Sequence, residues 1–81
     1  SFMDYGMFIQ SIMLSAVEKG LATCPQAALG EYPDIVRQEF PEYKDKMVLC
    51  GLALGYEDKG QIVNSYRTPR EDLSRFVRYY N

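Results

Sequence analysis

Between Asp4 and Gly20 the chain carries Met7, Phe8, Ile9, Ile12, Met13, Leu14, Ala16 and Val17. This apolar set is too broad for the single stripe of a helix resting on one core. A helix of this kind needs cover on several sides, and 81 residues supply little of it. A domain so small buries only about 60% of the surface its unfolded chain exposes. The segment is therefore the candidate for a subunit interface. Asp4 is the expected cap, the helix should run to about Lys19, and Gly20 is the expected stop, because glycine adopts the left-handed conformation that ends helices.

The rest of the chain divides at its prolines and glycines. Leu21 to Cys24 reads as a short buried strand closed by Pro25, and Gln26-Ala27-Ala28-Leu29-Gly30 as a small-residue loop. A second helix is expected from Pro33 through Gln38, stopping before Pro41. Met47 to Tyr56 is an almost continuous apolar run bounded by charge, the pattern of a strand buried on both faces and central in its sheet. Gly51 and Gly55 weaken such a strand, which points to close approach of another backbone, a helix or a ligand. Glu57 to Gly60 is a turn, and Gln61 to Tyr66 an irregular connection. Thr68-Pro69-Arg70-Glu71 satisfies the capping box, with Thr68 as cap, proline at the first helical position and Glu71 at the third. A short helix should follow, and then Phe76 to Tyr80, whose alternation reads as an extended tail. The expected core residues are Phe8, Ile12, Met13, Leu49, Leu52 and Leu54. There is no internal repeat or linker, so residues 1–81 are read as one unit.

Several functions are excluded on composition. The chain is 47% apolar and 14% aromatic, which marks an ordered core. Nine basic and eleven acidic residues give a charge of −2, and no Lys/Arg block exists to neutralise a run of phosphates, so nucleic acid is not an expected partner. No apolar stretch approaches the roughly 20 residues needed to cross a bilayer, and no secretory leader pattern is present; the expected compartment is the cytoplasm. Cys24 and Cys50 read as free, buried thiols acting as small hydrophobes. With no histidine, a Ser/His/Asp triad, a Cys/His pair and the usual zinc sites are excluded. Chemistry must then rest on backbone groups, carboxylates or a bound cofactor.

Four stretches in order carry a family resemblance. Asp4-Tyr5-Gly6-Met7-Phe8-Ile9-Gln10 resembles the start of the long core helix of the nitroreductase family, nitroarene-reductase-like branch. Gly20 through Ala28 is similar to its strand and flavin-contacting loop. Cys50-Gly51-Leu52-Ala53-Leu54-Gly55-Tyr56 looks like its central strand, and Asn64 through Arg70 with Glu71 and Leu73 like the segment leading to its C-terminal arm. The resemblance implies an α+β fold, of which this chain is the C-terminal part, a single partial domain. It further implies a homodimer or higher homo-oligomer with exchanged arms and FMN at the interface. The reaction implied is ping-pong, in which NAD(P)H reduces FMN and the reduced flavin passes electrons to a nitroaromatic, quinone or similar small acceptor. Pro25, Gln26, Ala27 and Ala28 match the loop along the isoalloxazine ring, where small side chains let a backbone N–H approach. Arg70 matches an arginine on the FMN phosphate, expected in the first turn of the helix capped by Thr68, where free N–H groups favour an anion; Arg67 is the second candidate. The family's Arg-rich N-terminal segment, which also grips FMN, has no counterpart in this sequence, so the 81 residues alone are expected to bind FMN weakly and to be inactive. The competing reading is a small non-catalytic oligomeric module without flavin.

Overall fold

A computed structural model describes residues 1–81. Helix α1 spans Phe2–Glu18. Its cap is Ser1, whose Oγ accepts the Asp4 N–H at 3.4 Å. Asp4 thus lies in the first turn, where a carboxylate also complements the helix dipole, and not at the cap. At the other end Gly20 takes φ +74°, as its position predicted. The Leu21 N–H returns to the Ala16 carbonyl at 2.8 Å and the Gly20 N–H to that of Val17 at 3.0 Å, the paired bonds of a Schellman ending. This tight reversal leads straight into strand β1.

Strand β1, Ala22–Gln26, pairs antiparallel with β2, Gly51–Gly55, in the register Ala22 to Gly55 through Gln26 to Gly51. Two expectations are corrected here. The first strand does not close at Pro25 but runs through it, opposite Leu52; an antiparallel pair leaves every second N–H pointing away from the partner, so a proline fits. The second strand is shorter than the apolar run, and in this two-stranded sheet it has one neighbour rather than two.

The expected loop after β1 is a helical turn, α2, Ala28–Glu31, followed by α3, Pro33–Glu39, with its bounds close to those read from the prolines. Close packing on α2 explains two glycines. A Cβ on Gly51 would overlap the Leu29 side chain, and one on Gly30 would overlap the Leu49 carbonyl. Gly55, expected to mark a second close approach, faces open space. Arg37 ties α3 to the segment before β2, since its Nε and Nη2 donate to the Lys46 carbonyl at 3.3 and 2.9 Å.

The capping box at Thr68 does not form. Residues 66–72 have no regular structure, and the only helical turn beyond them is the 3-10 turn Leu73–Arg75. Its cap is Asp72, whose Oδ1 accepts the Ser74 N–H and Oγ–H, both at 3.0 Å. Thr68 Oγ1 instead accepts from Arg70 Nη1 at 2.7 Å, so the hydroxyl that would cap a helix is held by a side chain. Residues 77–81 are irregular, in keeping with an extended tail.

Helices beside an antiparallel pair make the chain α+β, but it encloses almost no core. Ala16, 6% exposed, is the single buried residue. Of the expected core, Ile12, Met13, Leu49 and Leu52 are half-buried, whereas Phe8 and Leu54 are 62% and 63% exposed. Cys24 is exposed and Cys50 half-buried, both as free thiols. The accessible surface is 7806 Å², against about 5,000 Å² for a compact monomer of this mass. The radius of gyration is 17.0 Å, against about 12 Å for a compact domain of this length. One helix on two strands cannot make two closed layers, so most of the apolar side of α1 has nothing to pack on within the chain. No helix is long and apolar enough to cross a membrane.

Candidate functional site

The sheet organises two groups of candidate residues at opposite ends of β1. Pro25 and Gln26 are its last two residues, Ala27 makes the turn and Ala28 opens α2; all four are exposed. The turn is built by the Ala27 carbonyl, which accepts the Gly30 N–H at 2.9 Å. The Ala27 N–H itself donates to no acceptor in the chain. With methyl side chains at positions 27 and 28 and Leu29 turned onto Gly51, this amide is accessible to a planar molecule laid against the turn.

At the other end, some 14 Å away at about 3.4 Å per strand residue, Arg67 lines a cavity of about 600 Å³ together with Gly20, Leu21, Ala22, Glu57 and Lys59. Its Nη1 is fixed by two carbonyls, Asn64 at 2.9 Å and Tyr66 at 3.0 Å. Its Nε and Nη2 have no acceptor, and no carboxylate lies within ion-pair distance of it. The cavity is therefore lined by two basic residues, Arg67 and Lys59, with Glu57 the one acidic residue on its wall.

Arg70 is placed differently from its expectation. It is not in the first turn of a helix, because that helix does not form, and so no helix N–H groups act beside it. Its Nη1 folds back onto its own segment, to Thr68 Oγ1 at 2.7 Å and to the Thr68 and Pro69 carbonyls, each at 3.3 Å. The structure thus brings Arg67, but not Arg70, to the cavity beside β1.

The turn that carries Arg67 contains residues the sequence reading passed over. Asp58 Oδ1 accepts the Gly60 N–H at 3.0 Å, and its carbonyl accepts the Gln61 N–H at 3.2 Å and Asn64 Nδ2 at 2.8 Å. The signal was present as Asp58-Lys59-Gly60, the pattern of an aspartate closing a turn on its own backbone. What could not be read was that Asn64 would reach back to it. The Asp72 carboxyl is held below the usual aspartate value by the Ser74 N–H and then by the Ser74 hydroxyl. No group of histidine, cysteine or carboxylate residues is arranged to hold a metal.

The chain's relatives bear on this geometry. Residues 1–56 match the model of the nitroreductase family. A 4-nitrobenzoate reductase of Pseudomonas putida is 37% identical over 79 residues, 98% of this chain and 35% of that protein. Nitroreductase NfnB of Mycolicibacterium smegmatis is 40% identical over 76 residues, 94% of this chain and 32% of that protein. Among solved structures, the FMN-dependent nitroreductase NfnB from Mycobacterium smegmatis in complex with NADPH superposes with a TM-score of 0.90 at 38% identity, over 96% of this chain and 35% of its own. The FMN and NADPH-dependent nitroreductase NfnB from Sphigopyxis sp. strain HMH does so with a TM-score of 0.90 at 38% identity, over 99% and 36%. The chain therefore spans about a third of the length of the relatives it matches, and the fold it shows is part of theirs.

Proposed function

The chain belongs to the nitroreductase family, and on that premise we propose that it supplies part of the FMN site of an NAD(P)H-dependent oxidoreductase acting on nitroaromatic, quinone or similar acceptors. When bound, FMN supplies the redox chemistry, taking a hydride from the nicotinamide and passing electrons to the acceptor. The residues of this chain bind and orient it. Arg67, with Lys59 nearby, offers charge to the phosphate, and the free Ala27 N–H offers a donor to the ring. A flavin mononucleotide carries its ring and its phosphate at opposite ends of a ribityl chain. That matches a site with a free amide at one end of β1 and, at the other, a guanidinium held at Nη1 with Nε and Nη2 free, and this pairing is the observation that carries the reading. Pro25, Gln26 and Ala28 shape the turn against which the ring lies. Arg70 is bonded in the same way, through Nη1 to its own segment, and is ranked below Arg67 because it does not line the cavity beside β1.

NADPH is the favoured reductant, since the Sphigopyxis NfnB is FMN and NADPH-dependent and the FMN-dependent NfnB of Mycobacterium smegmatis is seen in complex with NADPH. The uncovered faces of α1 and the tail call for cover from the rest of the protein and from a second copy, in a homodimer or higher homo-oligomer, and the cytoplasm is the compartment where NAD(P)H is available. The 81 residues form one partial domain and do not act alone.

The test is FMN affinity by flavin fluorescence in the complete protein. Arg67→Ala should weaken binding ten- to a hundredfold, corresponding to about 1.5–3 kcal/mol for a charged hydrogen bond. Arg70→Ala should change it several-fold less. The reading fails if Arg67→Ala retains FMN as tightly as the parent, and a protein that stays colourless when incubated with FMN has no flavin site at all.

A further inference from the structure

Asn64 is the only residue between Ala53 and Phe76 that is not exposed. In a loop otherwise open to solvent, a half-buried amide has a specific job. Its Nδ2 donates to the Asp58 carbonyl at 2.8 Å and its backbone N–H donates to Gln61 O at 3.1 Å, while its own carbonyl accepts Arg67 Nη1 at 2.9 Å. We infer that Asn64 is a positioning residue: it clasps the turn after β2 and thereby fixes the carbonyl that holds Nη1 of Arg67, a residue lining the cavity beside β1. The inference rests on the reading of Arg67 as the arginine that meets the FMN phosphate.

The physical reason lies in side-chain entropy. A free arginine samples many rotamers, and immobilising such a side chain when a ligand arrives reduces affinity. Two carbonyls already hold Nη1, but a carbonyl on an exposed loop positions nothing unless it is itself held. The Tyr66 carbonyl is one residue away and moves with Arg67. The Asn64 carbonyl does not, because the Asn64 side chain anchors it to Asp58, three residues beyond the end of β2. Asp58 in turn is locked by Gly60 N–H on its Oδ1 at 3.0 Å and by Gln61 Nε2 on its Oδ2 at 3.4 Å. A continuous set of hydrogen bonds thus runs from Asp58 to the guanidinium, and only one bond in it, Asn64 Nδ2 to Asp58 O, spans six residues.

The experiment is a double-mutant cycle on FMN dissociation in the complete protein, with Asn64→Ala and the near-isosteric Asn64→Leu each made in the parent and in an Arg67→Ala background. Melting temperatures of the flavin-free proteins are measured alongside. The expected result is roughly three- to tenfold weaker FMN binding for either Asn64 variant in the parent, from the lost preorganisation of one long side chain, and no further weakening when Arg67 is already alanine. Asn64→Leu keeps the bulk of the half-buried side chain, so the cycle stands even where Asn64→Ala does not fold. Equal losses in both backgrounds, tracking the melting temperature, would mean that Asn64 is structural only, and no loss in the parent would overturn the role directly. If Arg67→Ala alone leaves FMN affinity unchanged, the phosphate reading falls and takes this inference with it.

Discussion

Gly30→Ala tests whether the turn bearing Ala27 and Ala28 is held by backbone packing. A Cβ at Gly30 would overlap the Leu49 carbonyl oxygen, with the Leu49 carbonyl carbon at 3.1 Å and the Val48 oxygen at 3.3 Å. All three atoms are backbone, so no side chain can swing aside; α2 must lift from the segment preceding β2. Overpacking costs about 1–3 kcal/mol, and the immobility of these neighbours puts Gly30→Ala in the upper half of that range. For a domain of about 150–250 residues this lowers Tm by about 4–12 °C, at 2–4 °C per kcal/mol. Gly51→Ala is the informative contrast. Its Cβ meets the end of the Leu29 side chain, and Leu29 is 42% exposed, so a rotamer change relieves the overlap for about 0.5–1.5 kcal/mol. Gly55→Ala meets nothing within 4 Å and replaces a strand glycine, so it should be neutral or stabilising by up to about 1 kcal/mol. Thermal melts of the three variants in the complete protein, with FMN affinity measured in parallel, should rank Gly30→Ala worst in both. A Gly30→Ala protein as stable as Gly55→Ala would refute the packing argument, and one that is destabilised yet binds FMN normally would refute the link from α2 to the flavin turn.

Two further outcomes follow from the C-terminal segment. The Asp72 carboxyl is held below its usual value by Ser74; a lowered folded-state value means the cap is fully present above the unfolded aspartate range near pH 4 and is lost as pH falls through the folded value. The Ser74 amide resonance should therefore shift in an acid titration with a midpoint below that of an unstructured aspartate, and a midpoint at or above it would contradict the cap. Removing residues 76–81, where Phe76, Tyr79 and Tyr80 are 64%, 83% and 87% exposed, should lower the stability of the proposed homo-oligomer, read by sedimentation at falling concentration; a truncated protein that associates and melts as the parent does would show that the tail docks on nothing.

Sequence alone determined the features that are decided within a few residues. The presence of α1 and its stop at Gly20, though not its start, the bounds of α3 between Pro33 and Pro41, and the tail after the last turn all follow from dihedral restriction and missing N–H groups, which act locally wherever the chain lies. The family likeness was legible too, since it rests on the order of segments. Tertiary structure decided where one segment meets another. Pro25 is tolerated inside β1 because of which way its missing N–H would have pointed in the pair. Gly51 and Gly55 are alike in sequence, yet only Gly51 lies against Leu29. At Thr68 the capping box gives way to a competing donor, since the hydroxyl accepts from Arg70 Nη1, and Asp72 caps a later turn. That Arg67 and not Arg70 lines the cavity beside β1 has the same origin, since it depends on how the segment after β2 folds back on the sheet. Burial was the least legible property. The apolar residues of α1 and β2 encode a need for cover, but cover is a property of what packs against them, and 81 residues provide it for Ala16 alone.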